Sequence, residues 1–590
     1  MTTVASSPPD LSLHRLLKSR KADDFAHRKV WLAWLIAIIV IAGATFTSLA
    51  YSRPKFNRSE IAYAEISREM MEKSSYVVPL YRGIPSIDKP VLNYWAIIPC
   101  FKAFGPSGFT SRIPSVVASL ACLVLFAFAI KRLWGWQSSL LSTIILATSE
   151  RFWEFATLCM TDMLLTLFDT ISLTALYVGL KNEKSRWLCF SVAAASMGLG
   201  TLTKGPVALI LPAFSFFLYL IFTRQWRILT LANIALAGLV FLAVAGPWYL
   251  AAAAAVTTPA SIGAWLWHHN VERFFGSAYA FHYSPLYMVQ SLFLGFAPWS
   301  ILLPFALFSA VTRWRQKTDL TESKEELYLW IWLILTTAFF TFSRGKMNYY
   351  DLPAFPAAAG VVGLHLNNWV KNKQPLGTIF AGLLTVALYV GAGISAFLLP
   401  QITETNNVTA WMLMPLGFLA SALYATWALS SDKPRLAYAA AFAGMCGALF
   451  SFSLQVQPAF ARQAPAIAYT EIFKQHPEAR LAIHSDFANT IDWFDNVMFE
   501  TRRAPDQLDG NDDLAAYLMK PGPALVIVPE DRFLQLPKNV QAHAVIMASR
   551  PYMHKKLDLG FFASSRGKLT GPVPLLLISN QTAQIAPATR

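Results

Sequence analysis

The tripeptide Asp88-Lys89-Pro90 sets a carboxylate beside an ammonium, followed by a proline that fixes the chain just after both charges. That combination suits holding a phosphate or diphosphate sugar; the plainer reading is an interfacial anchor in which Lys89 meets a lipid phosphate. Asp162 follows Thr161 at the start of a predicted helix, where a carboxylate could simply complement the helix dipole. His268, His269, Arg273 and His282 share one segment with aromatic residues and could bind phosphate or a metal, although a lone loop histidine is usually only solvated. None of these groups does chemistry unless the surrounding elements bring them to one place.

Those elements belong to a membrane. A chain that is 55% apolar and only 14% charged is too hydrophobic to be soluble at this length. Apolar runs of about 17 to 25 residues recur from near Trp31 to near Leu454, roughly thirteen in all. The first, Val30 to Tyr51, follows Arg15, Lys18, Arg20, Lys21, Arg28 and Lys29, which predicts a cytoplasmic N-terminus. It starts too late and runs too long for a cleavable signal peptide. Basic loops recur where that orientation requires cytoplasm: Lys131-Arg132, Lys181 to Arg186, Arg224 to Arg227, Arg313 to Lys317, Lys371 to Lys373 and Lys433 to Arg435. An odd number of spans then puts the C-terminus outside.

The formal charge of +15 lies almost wholly in the membrane part, because residues 456–590 hold 14 Lys or Arg against 13 Asp or Glu. This distribution argues for topology and contact with anionic membrane lipids, and against nucleic acid as a partner. Cys100, Cys122, Cys159, Cys189 and Cys446 all fall in or beside apolar runs without C-x-x-C spacing, so a disulfide framework is not expected.

The organisation that follows is a cytoplasmic segment 1–29, a helical membrane domain 30–455 and an extracytoplasmic α/β domain 456–590. The loop 52–108 is far longer than an ordinary connection. Within it Ile61, Ala64, Ile66, Met70 and Met71 share one helical face beside Glu65, Arg68, Glu69 and Glu72, which reads as an amphipathic helix lying in the interface. Val91 to Phe104 is apolar but too short to span. Three further outward segments, Arg151 to Asp162, Thr257 to Pro285 and Ser343 to Pro353, should converge on one external site. Past Gln457 short β-like runs, Arg480 to His484, Ala524 to Val528, His543 to Ala548 and Pro574 to Ile578, alternate with helical segments such as Asp512 to Met519.

Several short motifs now combine. Glu60-x-x-Tyr63-Ala64-Glu65-Ile66-x-Arg68-Glu69-Met70, Gly83-Ile84-Pro85-x-x-Asp88-Lys89-Pro90 and Tyr94-Trp95 resemble the first external loop of ArnT-like glycosyltransferases, which group with the protein O-mannosyltransferases in the GT-C superfamily. Ser111-Arg112-Ile113-Pro114-Ser115, Thr161-Asp162-Met163, Thr203-Lys204-Gly205-Pro206, Asn270-x-x-Arg273-Phe274 and Gly345-Lys346 with Tyr350 and Pro353 agree in order and spacing. The resemblance covers roughly residues 30 to 455. It implies a GT-C helical membrane fold with a small C-terminal α/β domain, seated in the inner membrane. It also implies transfer of a sugar, 4-amino-4-deoxy-L-arabinose or a hexose, from undecaprenyl phosphate to a lipid A-like or protein acceptor on the outer face. By motif position, Asp88 and Lys89 lie beside the donor phosphate, Asp162 lines the cavity, and Lys346 and Tyr350 meet the phosphate with Arg273. The same resemblance leaves room for a divalent metal ion, with His282, or less readily His269, and Asp88 as its ligands.

One departure stands out. The family's first loop normally begins with Asp-Glu, whereas this chain has Ser59-Glu60. A serine does not accept a proton from an acceptor hydroxyl near neutral pH, so Glu60 takes that role, the acceptor is already nucleophilic, or the chain is silent. The expected chemistry is inverting attack at the anomeric carbon. Glu60, Asp88 and Asp162 are the available acids, and Lys89, Lys346 and Arg273 the cations for the departing phosphate. A lipid-linked-sugar transporter or flippase is the rival class, since many spans and a few buried charges describe it too; no inverted repeat is visible.

Overall fold

The computed structural model describes all residues except 1–10, 54–55, 57, 257–262, 264–266, 277–283, 285, 317–319, 404–407, 457–464, 486–489, 553–572 and 581–590. The membrane part is helical. Its first segments are α1 (Leu11–Ser52), α2 (Arg58–Glu72), α3 (Leu92–Phe104), α4 (Gly108–Thr148), α5 (Glu150–Ala156), α6 (Asp162–Lys181), α7 (Arg186–Lys204), α8 (Val207–Phe222) and α9 (Leu231–Ala255). They are followed by α10 (Tyr287–Gly295), α11 (Leu303–Gln316), α12 (Leu320–Phe342), α13 (Phe355–Lys371), α14 (Pro375–Thr403), α15 (Val408–Ser430) and α16 (Pro434–Ser451).

Eight helices among the described residues are long and apolar enough to cross a membrane, and the sharply bent pair Tyr287–Gly295 with Trp299–Arg315 makes a possible ninth. The chain is a multi-span membrane protein. Part of the difference from the roughly thirteen apolar runs of the sequence lies in how the runs are joined. Helix α4 folds back on itself at Trp134 and Gly135, where φ/ψ leave the helical region. Gly135 takes φ 82°, which a side chain would resist. Ser139 Oγ then donates to Ala127 O at 2.6 Å, although the two would stand about 18 Å apart in a straight helix. Two runs are thus one bent element. The short α8 and α13 fall below spanning length; all but a few residues of α13 are buried, whereas α8 leaves Phe214, Phe217 and Phe222 exposed.

The long first loop is not the surface-lying amphipathic helix expected from its pattern. Ile61, Ala64, Ile66 and Met70 of α2 are buried as predicted, but so are Glu65, Arg68 and Glu69 on the polar face. Arg68 joins Glu65 and Glu72, and the Glu69 carboxylate accepts the backbone N–H groups of Arg82 (2.7 Å) and Gly83 (2.8 Å). Those two residues form the tip of a two-residue hairpin between β1 (Leu80–Tyr81) and β2 (Ile84–Pro85), and both have positive φ. The polar face is covered by protein that its own carboxylate caps, so no lipid interface is needed to explain it.

The C-terminal part carries α17 (Pro465–Gln475), β3 (Arg480–His484), α18 (Thr490–Thr501), β4 (Asp506–Leu508), α19 (Asn511–Met519), β5 (Ala524–Pro529), β6 (Val545–Tyr552) and β7 (Val573–Ser579). The strands form one sheet in the order β4-β3-β5-β7-β6, parallel across β4, β3 and β5 and antiparallel at β7 and β6. Every residue of the central β5 is buried. Tyr469, Phe473, Ile483, Ile527 and Leu577 pack on one face, and Leu514, Leu518, Val526, Val528 and Ile578 on the other, giving the expected α/β domain. It docks on the first loop through Phe499, whose ring lies 5.1 Å from Phe56 and 6.2 Å from Phe101. Asn496 accepts the Phe56 N–H at 3.3 Å beside that contact.

Candidate active site

The site builds up where the first loop, the start of α6, the end of α7 and the segment 343–354 meet. Below the hairpin, Lys89 Nζ donates to the Asp88 carbonyl (3.1 Å) and carboxylate (3.2 Å). The Asp88 side chain is 52% exposed, so this carboxylate opens on solvent. Just beyond it, Trp95 Nε1 donates to Tyr76 O at 2.8 Å and fixes α3 against the loop.

Asp162 opens α6 without capping it by hydrogen bond, and its carboxylate instead takes an ion pair from Lys204 at the end of α7. Asp162 Oδ2 has no hydrogen-bond partner among the described residues. The Lys204 ammonium also sits over the rings of Tyr350 (4.5 Å) and Tyr349 (5.6 Å), a cation–π arrangement that holds two tyrosines at the carboxylate. One further buried acid, Asp169, lies two turns along α6 with neither carboxylate oxygen hydrogen-bonded, and the Lys204 charge acts on it too.

Tyr63 of α2 ties these pieces together. Its ring is 6.1 Å from that of Tyr94, and the charges that act on its phenol come from Asp88 and Asp162. Burial raises the phenol well above its ordinary range, and Tyr94, Asp88, Asp162 and Tyr349 add to the effect. Tyr63 thus keeps its proton.

Segment 343–354 is positioned by Arg151. Its guanidinium donates to Ser291 Oγ (2.8 Å) and to the Asn348 carbonyl, and stands 3.5 Å from the buried Asp351 carboxylate. Two of the three outward segments expected to converge do so through this residue. Lys346 is buried, donates to Thr341 O at 2.8 Å, and has its pKa lowered by burial. The described contacts bring Tyr350 to Lys204 and leave Lys346 at the end of α12.

Glu60 requires correction. Its side chain is 1% exposed, and Oε1 accepts hydrogen bonds from Arg112 Nε (3.0 Å) and from the Cys159 N–H (2.9 Å). Arg112 in turn donates to Ala50 O (3.1 Å) and Arg53 O (3.0 Å) at the end of α1. The pair ties α1, α2, α4 and the approach to α6 together and encloses the carboxylate among the described residues. Its neighbour Ser59 is exposed. Arg273 begins a helical turn but its side chain, like His269 and His282, lies outside the described residues. Among the described residues no cluster of three or more His, Cys, Asp or Glu side chains could hold a metal ion. Asp88 offers a single carboxylate shared with Lys89, so the described residues do not by themselves fit a metal.

The fold compares with a solved one. The crystal structure of ArnT from Cupriavidus metallidurans bound to undecaprenyl phosphate superposes with a TM-score of 0.69 over 95% of this chain and 99% of that one, at 19% identity. This chain is ArnT-like in fold. The apo form of the same protein matches with a TM-score of 0.66 at 18% identity, over 95% of this chain and 100% of that one. Residues 88–250 of the ArnT-like chain also match the family model for dolichyl-phosphate-mannose-protein mannosyltransferase. An undecaprenyl phosphate-alpha-4-amino-4-deoxy-L-arabinose arabinosyl transferase of Pseudomonas paraeruginosa is 32% identical over 374 residues, 61% of this chain and 64% of that relative's length. One of the same name from Aeromonas hydrophila is 29% identical over 417 residues, 64% of this chain and 73% of its own.

The motifs expected to mark the ArnT-like site hold residues that sequence reasoning did not select. Lys204 and Tyr63 both stand inside quoted motifs, Thr203-Lys204-Gly205-Pro206 and Glu60-x-x-Tyr63. The available signal was a lysine placed where an apolar helix ends. Arg151 and Asp351 carried no motif, and only their meeting across the fold reveals them.

Proposed function

We propose that this ArnT-like chain transfers a sugar from a polyprenyl-phosphate carrier to an anionic lipid acceptor at the outer face of the inner membrane. The observation that carries this reading is the convergence of Asp88, Asp162, Tyr63, Tyr350 and Lys204 at one end of a helical bundle with the ArnT fold. The relatives' name supplies the sugar, 4-amino-4-deoxy-L-arabinose on undecaprenyl phosphate, as the first donor to try.

In the proposed reaction an acceptor oxygen attacks the anomeric carbon from the face opposite the carrier. The bond between that carbon and the carrier phosphate breaks, its electron pair stays on the phosphate oxygen, and Lys204, Lys89 and Lys346 neutralise the growing charge. Tyr63 and Tyr350 donate to the same oxygens. With Glu60 enclosed, Asp88 is the carboxylate exposed enough to take a proton from an acceptor hydroxyl, and a phosphate acceptor needs no base. Asp162 holds Lys204 in place.

Purified protein with radiolabelled undecaprenyl-phosphate sugar and lipid A-like, other glycolipid and protein acceptors tests this. Label is expected on a lipid acceptor. Label remaining on the carrier with every acceptor class would overturn the transferase reading in favour of a transporter or a silent relative.

A further inference from the structure

A second cavity lies at the opposite end of α6. Helix α6 is 20 residues long, so Lys181 stands about 30 Å from Asp162 and from the candidate active site. There a slot of about 190 Å³ opens between the first limb of α4, the last turns of α6 and α12. Its walls run from Arg132 and Leu133 down to Phe126, from Lys181 up to Thr174, and from Glu325 to Trp332. Each wall covers seven residues of helix rise, which makes the slot roughly 10 Å deep.

Charge and grease are separated along that depth. The mouth holds Arg132, Lys181 and Glu325, and the shaft is lined by Phe126, Ile130, Val178, Leu329 and Trp332. Lys181 Nζ is 3.9 Å from Glu325 and 5.4 Å from the Tyr177 ring, while Arg132 is exposed. Two cations against one carboxylate leave the mouth positive. On the neighbouring turns Lys131 and Lys184 extend the same sign, and Arg186 is paired with Glu183 at 3.2 Å.

We infer that this slot binds one anionic phospholipid, with its phosphate between Arg132 and Lys181 and part of an acyl chain in the shaft. A soluble anion would satisfy the mouth and leave the apolar shaft without packing partners. A neutral lipid would fill the shaft and leave the excess positive charge unmatched. Basic pockets between membrane helices take anionic headgroups for this reason. A polyprenyl phosphate would carry its phosphate to the face opposite Asp162 and Lys204, where no chemistry awaits it.

The full chain in detergent, stripped of lipid, is titrated with phosphatidylglycerol, phosphatidylcholine, undecaprenyl phosphate or inorganic phosphate, and bound lipid is counted by native mass spectrometry. No turnover is measured, so the outcome is separate from that of the transferase reading. One phosphatidylglycerol per chain is expected to stay bound under conditions that strip phosphatidylcholine. Arg132→Gln and Lys181→Gln should each weaken it roughly fivefold, the equivalent of about 1 kcal/mol per cation near a membrane surface. Ala129→Phe should expel the acyl chain while leaving the mouth charges intact. Both glutamine substitutions lie at the rim, where folding is least at stake. Equal retention of phosphatidylcholine, unchanged phosphatidylglycerol binding in the double glutamine variant, preference for undecaprenyl phosphate, or full competition by inorganic phosphate would each overturn the assignment.

Discussion

At the scale of single residues, the difference between Glu60 and Lys204 is one of enclosure. Glu60 is a buried acid whose Oε1 accepts from both Arg112 and a backbone N–H, the setting of a structural tie. Glu60→Gln should therefore lower stability before it alters chemistry. Breaking a buried ion pair from one side costs about 3 to 5 kcal/mol, because the remaining charge is left uncompensated. Thermal unfolding of Glu60→Gln and Arg112→Met should show comparable losses. A stable Glu60→Gln protein that binds donor but fails to turn over would restore the base assignment. Lys204 is only partly buried, with its ammonium paired to Asp162 and lying over the Tyr349 and Tyr350 rings. Lys204→Met is expected to cost about 10² to 10³-fold in kcat, the range for removing one group that stabilises developing charge. Donor affinity, measured by direct binding of the carrier, should weaken as well, since the ammonium acts before and during the transfer. Unchanged kcat in a folded Lys204→Met protein would remove Lys204 from the mechanism.

At the scale of elements, the segment 343–354 is held by an acid that burial makes reluctant to ionise. Burial raises the Asp351 carboxyl from 3.8 to about 7, with Arg151 opposing. Glu150 on the other side of Arg151 is raised from 4.5 to about 7, again chiefly by burial, then by Glu154. Both acids bind their proton more tightly in the folded protein than in the unfolded chain. Their contribution to stability is complete below about pH 4 and is lost as pH rises through about 7. The unfolding midpoint should accordingly fall from pH 5 to pH 8, and Asp351→Asn should flatten that slope. A wild-type slope of opposite sign would show that Arg151 outweighs burial. The C-terminal domain meets the first loop through Phe499, packed between Phe56 and Phe101. Phe499→Ala removes that wedge and should lower turnover by loosening the start of α2, while the far-UV signal of the sheet stays intact. Full activity would mean that the domain does not brace the site.

At the scale of the whole molecule, the bundle separates two sites along one helix: a polar, tyrosine-rich one around Asp162 and a lipid-shaped one around Lys181. The distribution of basic loops predicts that the Lys181 end, with the N-terminus, faces the cytoplasm. A periplasm-dependent reporter fused after Arg590 is expected to be active and a cytoplasm-dependent one silent. The reverse result would invert the proposed faces of both sites.

Hydropathy alone determined that this chain lives in a membrane, because lipid exposure is a local property of each run of residues. Periodicity put the run from Ile61 to Glu72 on a helix, and the expected strands Arg480–His484 and Ala524–Val528 match the observed Arg480–His484 and Ala524–Pro529 to within a residue. Motif spacing singled out segments that meet at the candidate site, those of Asp88, Asp162 and Tyr350 among them. The roles inside those segments were decided by tertiary structure. Glu60 and Arg112 are 52 residues apart, Glu60 and Cys159 99, and Arg151 and Asp351 come from segments far apart in the chain. Whether a carboxylate is a base or a tie depends on which donors reach it, and how deeply water is excluded around it. Those are properties of packing between distant segments, and no local pattern of residue types encodes them.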